Sequence, residues 1–204
     1  MNALLVVDVQ NDFCPNGALG VPGGDQIVPV VNKLADRFGI VILTQDWHPS
    51  AHSSFASSHS AKEAYETIDM PYGTQVLWPD HCVQDSKGSD FHPDLLTSKS
   101  QLIIRKGFRK DIDSYSAFFE NDNTTPTGLT GYLRDRRVNT LYVVGLATDF
   151  CVRWSVLDGM KEGFEMHVVE DAVKGIDLDG SVEEAWKEML DAGAQKTSSE
   201  KLLS

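Results

Sequence analysis

The sequence of 204 residues predicts an α/β fold: one domain, 1–204, with a parallel sheet flanked by helices. Three observations point there. Short continuous apolar runs recur along the chain, as expected of strands buried on both faces. Segments of helical period separate them, and that alternation is the signature of a parallel sheet covered on both sides. No internal repeat or low-complexity linker divides the chain, and its length suits one domain.

The elements follow in order. Ala3, Leu4, Leu5, Val6 and Val7 form the first strand, which ends at Asp8. Ile27, Val30, Val31, Leu34 and Phe38 recur at helical spacing over 25–38, and Gly39 stops that helix. A second strand covers 40–43, and a third covers 102–104 and runs into Arg105 and Lys106. A short helix over 128–136 precedes a fourth strand over 141–144, which ends at Gly145. The helix over 148–162 begins with Thr148 or Asp149 near its N-cap. A fifth strand over 166–169, a helix over 181–192 stopped by Gly193, and a short edge strand near Lys196 complete the chain. The segment 46–100 carries almost no periodic pattern. It holds five of the 6 histidines and two of the 4 tryptophans, which argues against disorder. Such a long loop in a compact domain is usually functional. It starts at the carboxyl end of the second strand, where ligands bind in open parallel sheets.

Composition excludes several functions. The net charge of −12 repels nucleic-acid phosphates, and no Lys/Arg-rich run offsets it. No stretch has the roughly 20 apolar residues of a membrane helix. The N-terminal run lacks a basic region before it and a cleavage site after it, so it is a strand and not a signal peptide. Three cysteines, an odd number, suit a reducing compartment better than a disulfide scaffold. A cytoplasmic protein with no nucleic-acid or membrane partner is expected; homo-oligomerisation is left open.

Polar residues fall at the strand ends: Asp8 after the first, Asp46 after the second, Lys106 after the third, and Cys151 beyond the fourth. If the strands are parallel, all four converge on one edge. Cys151 lies in the opening turn of a helix, where free N–H groups and the dipole stabilise an anion, so its thiol is expected to titrate below about 8.5. Lys106 would lower it further, and Asp8 can take its proton and return it to a leaving amine. The N-terminal amides of that helix can hold an oxyanion. Read blandly, Cys151 is a small core hydrophobe, Asp8 a loop cap and Lys106 a solvated charge; their matching positions favour the catalytic reading. Asp46 and His48, one residue apart on extended backbone, point to one side, and His81 can complete a set suited to zinc, iron or manganese. His52 is a further ligand, a neighbour of the ligands or a loop residue. His59, His92 and His167 have no partner pattern. Phe13, Trp78 and Tyr115 sit in loops beside these residues and can wall a planar substrate. Cys14 is read as packing and Cys82 as a neighbour that fixes His81.

Six motifs carry a resemblance. They are Asp8-Val9-Gln10-Asn11-Asp12-Phe13, Thr44-Gln45-Asp46-Trp47-His48-Pro49, Trp78-Pro79-Asp80-His81-Cys82-Val83, Lys106-Gly107, Asp113-Ser114-Tyr115-Ser116-Ala117-Phe118 and Gly145-Leu146-Ala147-Thr148-Asp149-Phe150-Cys151-Val152. In this order, spanning nearly the whole chain, they resemble the nicotinamidases of the isochorismatase-like cysteine hydrolases. The resemblance implies a six-stranded parallel sheet and hydrolysis of nicotinamide to nicotinate and ammonia in NAD salvage, with activity on pyrazinamide. It implies Asp8, Lys106 and Cys151 as the triad, and Asp46, His48 and His81 as ligands of one divalent ion that holds the substrate's ring nitrogen, zinc ahead of iron or manganese. It also implies ring contacts from Phe13, Trp78 and Tyr115, a cis peptide before Ala147, and an oxyanion site made by the N–H groups of Ala147 and Cys151.

Rival readings meet specific residues. Amidohydrolases of carbamoyl-sarcosine or ureidoacrylate generally lack the Asp-x-His metal site. Vinyl-ether hydrolysis of the isochorismatase type does without the cysteine. A binding module with a structural metal would close all four ligand positions. A dinucleotide-binding domain needs a glycine-rich turn after the first strand, and Val9-Gln10-Asn11-Asp12 has none.

Overall fold

The computed structural model describes residues 1–204. Eight strands form in chain order: β1 (Asn2–Val7), β2 (Val41–Asp46), β3 (Thr67–Met70), β4 (Gly73–Val76), β5 (Leu102–Lys106), β6 (Thr140–Leu146), β7 (Glu165–Lys174) and β8 (Gln195–Thr197). The helices are α1 (Val28–Ala35), α2 (Leu129–Asp135), α3 (Arg153–Lys161), α4 (Ser181–Asp191) and α5 (Ser199–Leu203). Six strands make one parallel sheet in the order β5-β2-β1-β6-β7-β8. The expected edge strand near Lys196 is β8.

The apolar runs work as the sequence suggested. Alternate residues of β1 serve opposite cores: Leu4 and Val6 pack with α1, while Ala3, Leu5 and Val7 pack with α2, α3 and α4. Both faces are therefore dry, which is why the strands read as continuous and not alternating. The helix expected over 25–38 starts with a 3-10 turn at Gly24–Ile27, because Pro29 fits only the first turn of α1, and it ends early at Ala35. Three elements were not expected. β3 and β4 form a small antiparallel hairpin inside the long segment, too polar and short for a periodic signal. α5 packs on α1, and Arg37 donates to the Leu203 carbonyl at 2.7 Å.

The chain runs outward from β1 through β2 to β5 on one side, then returns to the other side of β1 with β6. The switch point thus lies between β1 and β6, where a crevice opens at the carboxyl ends. Gly145 lets the two strands meet there: a Cβ at its φ of +118° would lie 2.6 Å from the Val7 nitrogen. No helix is long and apolar enough to cross a membrane.

Candidate active site

β1 and β6 deliver Asp8 and Cys151 to the two lips of the crevice. β5 delivers Lys106, whose Cα is in register with Asp46 of β2. The four strand-end groups converge as the parallel reading requires.

At their centre is Lys106, with a side chain that is 0 % exposed. Its Nζ lies 2.8 Å from Asp8 Oδ2 and 3.0 Å from Asp46 Oδ1. It also donates to the Ser114 carbonyl at 2.9 Å and to Cys151 Sγ at 3.4 Å. Burial alone would drive the ammonium to lose its proton, but Asp46 and Asp8 more than reverse this and hold it well above the usual lysine range. Lys106 therefore stays charged. Asp8 Oδ1 accepts a 2.6 Å bond from the Thr44 hydroxyl, while Oδ2 faces the ammonium with no other hydrogen-bond partner. A lone pair on Oδ2 remains for the thiol proton.

Two expectations about Cys151 need correction. The segment before α3 is a π-helical turn, Thr148–Val152, and Cys151 sits inside it. Ala147 is its N-cap, so Thr148 and Asp149 stand next to the cap as expected. The thiol is also not acidified. Burial pushes Cys151 well above the ordinary thiol range, and Lys106 only partly offsets it. The thiol form beside a carboxylate is thereby favoured. Burial raises Asp8 too, against the pull of Lys106, which brings its proton affinity closer to that of the thiol.

Asp46 turns its second oxygen away from Lys106. Oδ2 lies 3.1 Å from His48 Nε2 and 3.4 Å from His81 Nε2. Each imidazole places its other nitrogen against a backbone carbonyl: His48 Nδ1 against Gly107 at 2.9 Å and His81 Nδ1 against Pro79 at 2.8 Å. A proton on each Nδ1 satisfies both carbonyls and leaves both Nε2 lone pairs converging with Asp46 Oδ2. Those donor atoms lie within 4.8 Å of one another and are buried. Such carbonyl-oriented imidazoles are how proteins preset metal ligands, so the residues fit a divalent ion. His52 lies directly behind His48. Its Nε2 lies 2.8 Å from the Arg109 carbonyl, its Nδ1 lies 2.8 Å from Ser54 Oγ, and its ring packs 4.3 Å from that of His48. Together with His48 and Asp113 it also places three buried donor atoms within 4.8 Å of one another.

A cavity opens beside these groups, with Asp46, His81, Asp113 and Cys151 as its polar lining. Phe13, Trp78 and Tyr115 wall it, as read from the sequence. Phe13 meets His81 edge-on at 5.5 Å, and Trp78 Nε1 donates to the Tyr115 hydroxyl at 3.0 Å. Leu19, Phe150 and Ile176 complete the apolar walls and were not foreseen. Phe150 stood inside a quoted motif, so its place was legible; Leu19 and Ile176 lie in loops with no signal. Thr44, Asp113 and Ser114 also stood in motifs, and their roles needed the fold. Ala147 follows a cis peptide bond from Leu146, as expected, and its carbonyl accepts from the N–H of Phe150 and of Val152, each at 3.1 Å.

A thiol, a carboxylate and a buried lysine meet at this crevice, the groups that cysteine hydrolase chemistry requires. Residues 2–201 match the isochorismatase domain, and the chain belongs to the isochorismatase family. A nicotinamidase of Acinetobacter baylyi is 54 % identical over 98 % of this chain and 94 % of its own. The structure of a nicotinamidase-pyrazinamidase from Acinetobacter baumanii superposes with a TM-score of 0.98 at 57 % identity, over 99 % of this chain and 98 % of that one. A Pyrococcus horikoshii pyrazinamidase in complex with zinc gives 0.78 at 37 % identity, over 97 % and 98 %.

Proposed function

We propose that this chain is a nicotinamidase that hydrolyses nicotinamide, and also pyrazinamide, to the acid and ammonia, supplying nicotinate to NAD salvage. The observation that carries the reading is that one small, mostly apolar cavity is lined by Cys151, whose sulfur meets Lys106 and through it Asp8, and by Asp46 and His81 of the Asp46–His48–His81 donor set. An amide attached to a ring with an acceptor nitrogen uses both. Cytoplasmic location suits the three unpaired cysteines.

Asp46, His48 and His81 would hold a divalent ion, with zinc favoured by the Pyrococcus relative. When bound, the ion supplies a Lewis-acid anchor for the ring nitrogen. Phe13, Trp78 and Tyr115 sandwich the ring and exclude water. Asp8 takes the proton from Cys151, and Sγ bonds to the carboxamide carbon. The N–H groups of Ala147 and Cys151 stabilise the oxyanion. Asp8 then gives its proton to the amine nitrogen as the C–N bond breaks, releasing ammonia and leaving a thioester. A water loses a proton to Asp8 and attacks the thioester. The C–S bond breaks, nicotinate leaves, and Asp8 returns the proton to the sulfur. Lys106 keeps its charge throughout and balances the anion as it moves between Asp8 and Cys151.

The test is ammonia release from nicotinamide, pyrazinamide and N-carbamoyl compounds, with metal content measured on the same sample. Turnover of the two ring amides, abolished in a folded Cys151→Ala variant, is expected. Preference for N-carbamoyl compounds would overturn the substrate, and residual turnover in Cys151→Ala would overturn the nucleophile.

A further inference from the structure

The rim of the cavity is held by an unassigned carboxylate. Most lining residues are buried, but Tyr115, Phe150 and Ile176 are half-buried and form the mouth. Two of these are fixed by the site itself. The Tyr115 hydroxyl is bonded to Trp78 Nε1, and Phe150 belongs to the turn of Cys151 and meets Trp78 edge-on at 4.8 Å. Ile176 comes from the loop between β7 and α4. Its backbone is tied to Asp149, two residues before the nucleophile and 0 % exposed. Asp149 Oδ1 accepts from the Ile176 N–H at 3.0 Å, and Oδ2 accepts from the Asp177 N–H at 2.8 Å and the Ser181 hydroxyl at 2.6 Å. The loop presses directly on this carboxylate: a Cβ on Gly175 would lie 2.9 Å from Asp149 Oδ1 and would also strike Val182 Cγ2.

We propose that Asp149 is a positioning residue and Ile176 the specificity-determining side chain it positions, so that the cavity admits unsubstituted six-membered heteroaromatic amides and rejects ring-alkylated ones. The inference rests on the nicotinamidase reading. Asp149 locks the Ile176 wall in register with Cys151 because it is an acceptor-only group receiving three donors. Asparagine offers one acceptor atom and turns an NH₂ toward the remaining donors, so it cannot reproduce the clamp. The lock matters because a wall that can yield by a methyl radius no longer excludes a methyl group.

The experiment measures kcat and KM for nicotinamide, 5-methylnicotinamide and 6-methylnicotinamide. The proteins are the wild type, Ile176→Ala, Asp149→Asn, Ser181→Ala and the Ile176→Ala/Asp149→Asn double variant. One methyl in a packed pocket is worth about 10–200-fold, so the ratio of methylated to plain kcat/KM should rise about tenfold in Ile176→Ala and in Asp149→Asn. Asp149→Asn should add nothing to the ratio once Ile176 is alanine. A purely structural role would lower kcat for all substrates alike and leave the ratio flat. If Asp149→Asn does not fold, Ser181→Ala, which removes one bond of the three, carries that arm and must raise the ratio at least about twofold. A flat ratio in Ile176→Ala or in the clamp variants, or full additivity in the double variant, overturns the proposal while the parent reading stands. Failure of the wild type to release ammonia from nicotinamide overturns both.

Discussion

Gly107→Ala should strip the metal site without unfolding the sheet, and the structure sets the size of the effect. Gly107 follows the buried Lys106 and has φ +66°, a left-handed conformation that costs an L-residue roughly 1–2 kcal/mol. An alanine Cβ there would lie 2.7 Å from His48 Nδ1 and strike Cε1 of the same ring, whereas ordinary contact begins at 3.4 Å. The imidazole must therefore retreat by at least 0.7 Å, the difference between those distances. It cannot do so freely, because His52 packs 4.3 Å behind it and Phe55 meets it edge-on at 5.4 Å. The same movement breaks the bond from Nδ1 to the Gly107 carbonyl that fixes the tautomer. Loss of such a supporting contact typically costs about 10–100-fold in metal affinity, and a displaced ligand places this variant at the upper end. The assay is competition with a chromophoric chelator, read against far-UV circular dichroism. A Gly107→Ala protein that binds zinc with wild-type affinity would refute the assignment of His48 as a ligand.

Three further outcomes are expected. Lys106→Met removes the cation between two buried carboxylates; breaking a buried pair costs about 3–5 kcal/mol, so a urea titration should show at least that loss, and unchanged stability would mean the cluster is more hydrated than its geometry states. Exhaustive chelation should raise KM for nicotinamide far more than it lowers kcat, since the ion is assigned to ring binding; unchanged KM in a metal-free sample rules that role out. Burial works to raise Asp122, but hydrogen bonds from the Thr125 hydroxyl and from the Thr124 and Thr125 N–H groups lower it to about 2 from 3.8. Its contribution is present above pH 3.8 and lost as pH falls through about 2, so the Tm gap between wild type and Asp122→Ala should narrow steadily from pH 4 downward; a gap undiminished at pH 2 contradicts the assignment.

The sheet and most of the site were legible because a parallel strand buried on both faces has a simple sequence, and because the residue that ends it must lie at the carboxyl edge. Asp8, Asp46, Lys106 and Cys151 were found that way from position and residue type. Strand order, the hairpin of β3 and β4, and the short α5 carried no periodic signal, since each depends on contacts between distant segments. The same holds for Thr44 on Asp8, for His52 behind His48, and for Ile176 at the mouth.

The thiol at Cys151 shows where the division lies. By itself the sequence determined which side chains could do the chemistry, since a cysteine beyond a strand end with a lysine and an aspartate at matching ends has few other uses. Only the tertiary structure decided their charges. Burial of Cys151 outweighs the ammonium beside it, because desolvation sums over every atom packed around the sulfur, whereas the sequence reveals only the neighbours it can name. Burial therefore holds Cys151 toward the thiol and away from the thiolate.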